Sequence, residues 1–142
     1  MASPRSAIEA LLDSRTEAVW HKDIERLMSL YSSDIVYFDL VPGLQYTGVT
    51  ALRARFLEWF AAFDGPITMG ARDLHIQEHG DLAIAFMLNR TSGRLKNGRD
   101  VGYWVRATVC WQRSDRGWSI VHEHISVPID MAPRAGAFGL MP

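Results

Sequence analysis

The sequence predicts an α+β domain in which three helices pack on one face of a strongly curved, mostly antiparallel sheet. Three observations carry this expectation. Apolar residues recur at helical spacing through most of the chain before Asp64. Beyond it the pattern changes to strand alternation, rich in β-branched and aromatic residues. Turn-forming groups cut that second stretch into hairpins: His79-Gly80-Asp81, Asn97-Gly98 and Ser114-Asp115-Arg116-Gly117. Helices first and sheet last is the order of an α+β domain.

Ser3-Pro4 marks the first helix start, a capping hydroxyl followed by proline at the first helical position. Ile8, Leu11, Leu12, Ala18 and Val19 form its apolar stripe, and it is expected to run to about His21. Asp23 caps a short second helix whose stripe is Ile24, Leu27, Met28 and Tyr31. Residues 35–40 read as a strand, with Tyr37 and Asp39 on one face and Val36 and Phe38 on the other. Residues 41–48 include Pro42, Gly43 and Gly48 and form a loop. Thr50 opens a third helix carrying Leu52, Phe56, Trp59, Phe60 and Phe63, and Asp64-Gly65-Pro66 ends it. Strands follow over roughly 67–79, 82–91, 100–113 and 118–127, giving the order ααβαββββ. The tail, 128–142, carries three prolines and two glycines and is expected to be irregular and draped over the surface.

A chain of 142 residues reads as one domain that can bury a core without disulfides or metal. A formal net charge of -1 offers no basic surplus for nucleic acid, and no charge block suggests an electrostatic tail. Cys110 is the single cysteine, so a reducing compartment is compatible. The stretch Met1-Ala2-Ser3-Pro4-Arg5 lacks the apolar run of a signal peptide, and no segment approaches membrane-spanning length. The expectation is a soluble cytoplasmic protein without membrane or nucleic-acid partners. No phosphate-cradling loop, nucleotide fingerprint or nucleophile motif is present, and no cofactor is expected.

Alternation sorts the last two strands onto two faces. Tyr103, Val105, Ala107, Val109 and Trp111 share one face with Val121, Glu123, Ile125 and Val127 of the final strand. The other face carries Trp104, Arg106, Thr108, Trp118, Ile120, His122 and His124. Both faces hold large apolar groups, unlike a sheet wetted on one side. One face is therefore expected to close a cavity against the helices. The other, through Trp104, Arg106, Thr108, Trp118, His122 and His124, is expected to meet a second copy of the chain.

Asp39 is the first chemical candidate. A carboxylate at a strand end near Phe56, Trp59 and Phe60 would be desolvated toward a proton-transfer range; the structural alternative is a hydrogen bond to the loop of residues 42–48. Glu123 is second, on the face assigned to the cavity; the alternatives are pairing with Arg90 or Arg106, or an inverted face that brings His122 and His124 into the cavity in its place. His122 and His124 fall on one face at a spacing that metal sites use, but no third ligand is evident and no metal is expected. Tyr37 and Tyr103 could donate to a carbonyl oxygen, and Arg90, continuing the face of Phe86 and Leu88, could hold an enolate or carboxylate.

Four strings carry a family resemblance: Asp23-Ile24-Glu25 with Met28, Leu30 and Tyr31; Phe38-Asp39 with Tyr46-Thr47-Gly48; Trp104-Val105-Arg106-Ala107-Thr108; and Gly117 through Ser126, which includes His122-Glu123-His124. They resemble the nuclear transport factor 2-like superfamily, and within it the SnoaL-like group. The resemblance implies a cone-shaped α+β fold, commonly a homodimer through the outer sheet face. It spans isomerases, polyketide cyclases, dehydratases and an oligomerisation domain, so it implies no single activity. Asp39 is similar in position to the base of ketosteroid isomerase, while Arg15 and Ala107 stand where that enzyme has its oxyanion donors. SnoaL-like cyclases similarly carry an acid on the last strand, matched by Glu123. The resulting expectation is a cofactor-independent enzyme that moves a proton beside the carbonyl of a small apolar compound. Asp39, Glu123, His122 and His124 supply its acid–base groups. Tyr37, Phe56, Trp59, Phe60, Phe86, Leu88, Arg90 and Tyr103 line its pocket. The alternative is a non-catalytic ligand-binding or assembly module.

Overall fold

The computed structural model describes residues 3–142, and Met1 and Ala2 of the N-terminal stretch lie outside the described residues. The elements are α1 (Pro4–Trp20), α2 (Ile24–Met28), β1 (Tyr31–Phe38), β2 (Tyr46–Thr47), α3 (Val49–Ala61), β3 (Thr68–His79), β4 (Leu82–Arg94), β5 (Asp100–Ser114), β6 (Gly117–Ser126), β7 (Ile129–Asp130) and β8 (Ala135–Gly136). Six strands form one sheet in the order β2-β1-β6-β5-β4-β3. Only β1 against β6 is parallel; the remaining pairs are antiparallel. The three helices pack on one face of this sheet, as the sequence predicts.

Local chemistry accounts for the element boundaries. The Ser3 hydroxyl accepts the Ser6 N–H and Pro4 follows, which caps α1. The Asp23 carboxylate accepts the Arg26 N–H at the start of α2. Gly48, at φ 83°, takes a backbone conformation that side chains disfavour, and its N–H reaches the Ile35 carbonyl at 2.8 Å before α3 begins. The buried residues of α1 are Ile8, Leu12, Arg15, Ala18 and Val19, so a charged residue sits on its apolar stripe.

Four expectations need correction. Tyr31 does not extend the α2 stripe. The Ile120 N–H bonds the Leu30 carbonyl and draws the chain into β1, so Tyr31 enters the core as a strand residue. Trp118 and Ile120 do not share a face with His122 and His124. A bulge at Val121, where Trp111 pairs Ile120 and Cys110 pairs His122, changes the phase of β6. Ile120 is fully buried and Trp118 packs against the core. Third, segments expected to be irregular hold strand pairing: the 41–48 loop contains β2, and the tail is partly ordered as the β7–β8 hairpin, closed by the Ala137 N–H on the Pro128 carbonyl.

The fourth concerns β4. Register with β5 sets Met87, Asn89 and Thr91 opposite Ala107, Val105 and Tyr103 on the concave face. Phe86, Leu88 and Arg90 therefore stand on the convex face, opposite Thr108, Arg106 and Trp104. Small Ala83 and Ala85 are buried inside, whereas Ile84 and Phe86 remain exposed. The bulkier apolar set of this strand points away from the core.

Candidate active site

Between α1, α3 and the concave sheet face lies a cavity of about 280 Å³. Its walls are apolar or aromatic: Val19, Leu27, Phe56, Trp59, Met69, Val105 and Ile125. Two carboxylates line it, Glu123 and Asp39, and each is paired with an arginine.

The deeper pair is almost sealed. Glu123 is 3% exposed and Arg15 likewise 3%. Arg15 Nη1 donates to Glu123 Oε2 at 3.0 Å, and the Tyr31 hydroxyl donates to Oε1 at 2.8 Å. The partner of Glu123 is thus Arg15 from α1, not Arg90 or Arg106 from the sheet. Burial alone would lower the arginine's proton affinity, but Glu123 and the neighbouring tyrosines outweigh it and raise the value above the ordinary range. Tyr31 is raised well above its ordinary value, first by burial and then by the Glu123 charge.

The second pair lies at the end of β1. Arg55 Nε donates to Asp39 Oδ2 at 2.9 Å, and the Leu40 N–H donates to Oδ1 at 2.6 Å. The Asp39 side chain is 6% exposed and that of Arg55 13%. The sequence alternative for Asp39, hydrogen bonding to the loop of residues 42–48, is not what holds it: among the described residues its partners are the adjacent Leu40 N–H and Arg55. Tyr37 stands between the two pairs. Burial raises its ionisation well above the ordinary value, and Glu123, Tyr31 and Asp39 add to the shift. Among the described residues its hydroxyl bonds no protein group. Tyr103 is also raised, by burial first and Asp39 second. Phe138, from the tail, meets Tyr103 edge-on with ring centroids 5.7 Å apart and lines the cavity as well.

Of the sequence candidates, Asp39, Glu123, Tyr37, Phe56, Trp59 and Tyr103 meet at the cavity. Phe60 is buried in the core and does not line it. Phe86, Leu88 and Arg90 are on the opposite sheet face, where Phe86 stacks on His75 with centroids 4.8 Å apart. His122 and His124 also lie outside the cavity, against Phe38 at 4.7 and 5.3 Å, and His122 Nδ1 bonds the Val36 carbonyl. Among the described residues no group of three metal-ligating side chains forms. Arg55, Asn89, Thr91 and Phe138 escaped sequence reasoning. For Arg55 a signal existed: it precedes Trp59 by four residues, one helical turn along the apolar stripe.

The comparisons with known proteins agree on the fold. Residues 8–130 match the family model of the SnoaL-like domain. An NTF2-like protein of unknown function from Pseudomonas putida KT2440 is 31% identical over 100% of both chains, with a TM-score of 0.87. A candidate dehydratase of the NTF2-like family from Streptomyces avermitilis is 19% identical, covering 87% of this chain and 95% of its own, with a TM-score of 0.77. The CaMKII hub of S. rosetta is 22% identical, covering 89% and 98%, with a TM-score of 0.71. No curated protein matches the chain. No helix among the described residues is long and apolar enough to cross a membrane.

The buried phenols make stability depend on alkaline pH. A group whose proton is held more tightly in the folded state contributes stability that is complete below its unfolded value, about pH 10 for tyrosine, and is lost as pH rises beyond it. Tyr31 and Tyr37 are expected to ionise only with unfolding, seen as coincident changes in tyrosinate absorbance and circular dichroism. Tyr37→Phe, which removes no protein hydrogen bond among the described residues, makes the alkaline loss shallower. Free ionisation of all four tyrosines in the folded protein would contradict this.

Proposed function

The chain belongs to the SnoaL-like family, and from that premise we propose that it is a cofactor-independent enzyme moving a proton beside the carbonyl group of a small apolar compound, as isomerases, cyclases and dehydratases do. One observation carries the reading. Asp39 holds its carboxylate in an apolar cavity beside phenols whose ionisation is pushed up, so a proton acceptor and neutral donors share one water-poor space.

Asp39 is the base. The Arg55 and Leu40 N–H groups fix the plane of its carboxylate, and each oxygen keeps a lone-pair direction for substrate. Tyr37 and Tyr103 donate to substrate oxygens. Phe56, Trp59, Val105 and Ile125 enclose the apolar body. Glu123, bound on both oxygens, serves as the rigid floor of the cavity rather than as a second acid. The half-buried Cys110 accords with a reducing, cytoplasmic setting.

The test is hydrogen–deuterium exchange at carbons next to the carbonyl, followed by NMR over a panel of small cyclic ketones in deuterated buffer. The wild-type protein accelerates exchange in at least one of them, and Asp39→Asn slows it by roughly 10²- to 10⁴-fold. No acceleration by the wild type, or equal rates in Asp39→Asn, would contradict the assignment.

A second reading, an assembly module, is favoured by the convex face. Ile84 is 44% exposed and Phe86 39%, beside Phe38, Trp104, Arg106, Thr108, His122 and His124. We propose that two copies pair there, which fits a catalytic role equally well, and similarity to a CaMKII hub accords with self-association. Light scattering is expected to give a dimer, and Phe86→Glu to give a monomer of unchanged circular dichroism. A wild-type monomer at the same concentration would contradict the pairing.

A further inference from the structure

Asp39 is not the only group at the cavity mouth with uncommitted bonding capacity. Arg55 spends its Nε on Asp39. A guanidinium has two further nitrogens, and among the described residues neither donates to a protein acceptor. The side chain lines the cavity at 13% exposure, and its Nε bond to Asp39 sets the guanidinium beside that carboxylate. Arg15, the other arginine lining the cavity, is bonded through Nη1 to Glu123, which Tyr31 also holds, and is not among the partners of Asp39.

We propose that Arg55 is a catalytic residue whose free guanidinium edge binds the substrate oxygen that becomes negative, and that this arrangement selects a neutral carbonyl compound over a carboxylate. The proposal rests on the reading of Asp39 as base. In the step, the C–H bond next to the carbonyl breaks and its proton passes to an Asp39 oxygen. The electron pair forms the C=C bond, and the carbonyl oxygen takes the negative charge. Asp39 then returns the proton to carbon. Before transfer the mouth holds one negative carboxylate, one guanidinium and a neutral carbonyl. After it the carboxyl is neutral and the enolate oxygen is negative. One guanidinium borders both positions, so the charge moves without leaving its counter-ion. That matters in an apolar cavity, where an unpaired charge is costly. A carboxylate substrate would add a second negative charge beside Asp39 with no further free cation among the described lining residues.

The probes are 4-nitrophenol, ionised to a phenolate that resembles an enolate, its neutral analogue 4-nitroanisole, and 4-nitrobenzoate, each titrated calorimetrically at a pH where the phenol is ionised. Asp39→Asn stands in for the protonated base and is expected to bind the phenolate more tightly than the wild type. Adding Arg55→Met to it weakens phenolate binding by roughly 10- to 100-fold and leaves 4-nitroanisole unchanged. Arg55→Lys restores part of the loss, which a fold defect would not do. Wild-type protein binds 4-nitroanisole more tightly than 4-nitrobenzoate. Phenolate affinity within twofold in the Arg55→Met background overturns the role of Arg55 while leaving Asp39 as base, provided carbon-proton exchange still depends on Asp39. Failure of all three probes to bind overturns it too, as does a wild-type preference for 4-nitrobenzoate.

Discussion

The buried Arg15–Glu123 pair is the constraint around which the rest is arranged. Taking two charges out of water costs several kcal/mol per ion unless each is bonded with good geometry. Here Glu123 is bonded on one oxygen by Arg15 and on the other by Tyr31. These residues come from β6, α1 and β1, and the ion pair joins positions 108 apart in the chain. The bonds form only when α1 lies across the concave face and β1 runs parallel beside β6. A chain without that docking would strand a charge, so the polar triad specifies one arrangement of helices on sheet. The surrounding apolar residues then supply bulk stabilisation by burial.

Beside that fixed pair the cavity holds a second one, which the proposed proton transfer would use. The two ion pairs have the same composition and different circumstances. Arg15 and Glu123 are locked within the protein, one guanidinium nitrogen of Arg15 even being buried without a partner. Asp39 stands just past the end of β1, Arg55 reaches it from within α3, and both keep bonding capacity. Tyr37 lies between them and feels both carboxylates. A rigid polar floor, apolar walls and a half-committed pair at the mouth are the ingredients of a preorganised site. The tail adds Phe138 to its rim.

Much of the fold was legible in the sequence because helix and strand periods differ and the turn residues are explicit. Alternation puts Glu123 on the face of Ile125 and apart from His122 and His124, but which of the two faces meets the cavity is decided by the packing of the helices. Alternation failed where it met a bulge or an ambiguous strand. Val121 breaks the phase of β6 and carries Trp118 and Ile120 to the core side, which no local pattern announces. In β4 both faces are apolar, and the bulkier set, Ile84, Phe86 and Leu88, points outward, so apolarity alone places Arg90 on the wrong side. Asp39 is legible as a strand-end carboxylate, and the place of Arg55 on the apolar stripe of α3 marks it as unusual, but that the two pair depends on packing across elements rather than on local spacing. Arg15 could have been recognised as more than a substituted slot. It sits seven residues after Ile8 and four before Val19, on the buried stripe of α1, where a charge demands a buried counter-charge.

The double-mutant cycle at Arg15 and Glu123 tests this account most directly, read as unfolding free energies from denaturant titration. Arg15→Met and Glu123→Leu alone are each expected to cost about 3–5 kcal/mol, because each strands the other charge, while the double replacement recovers most of that loss. Single replacements that cost less than about 0.5 kcal/mol, or losses that simply add, would contradict the claim that this pair holds α1 on the sheet and frames the cavity.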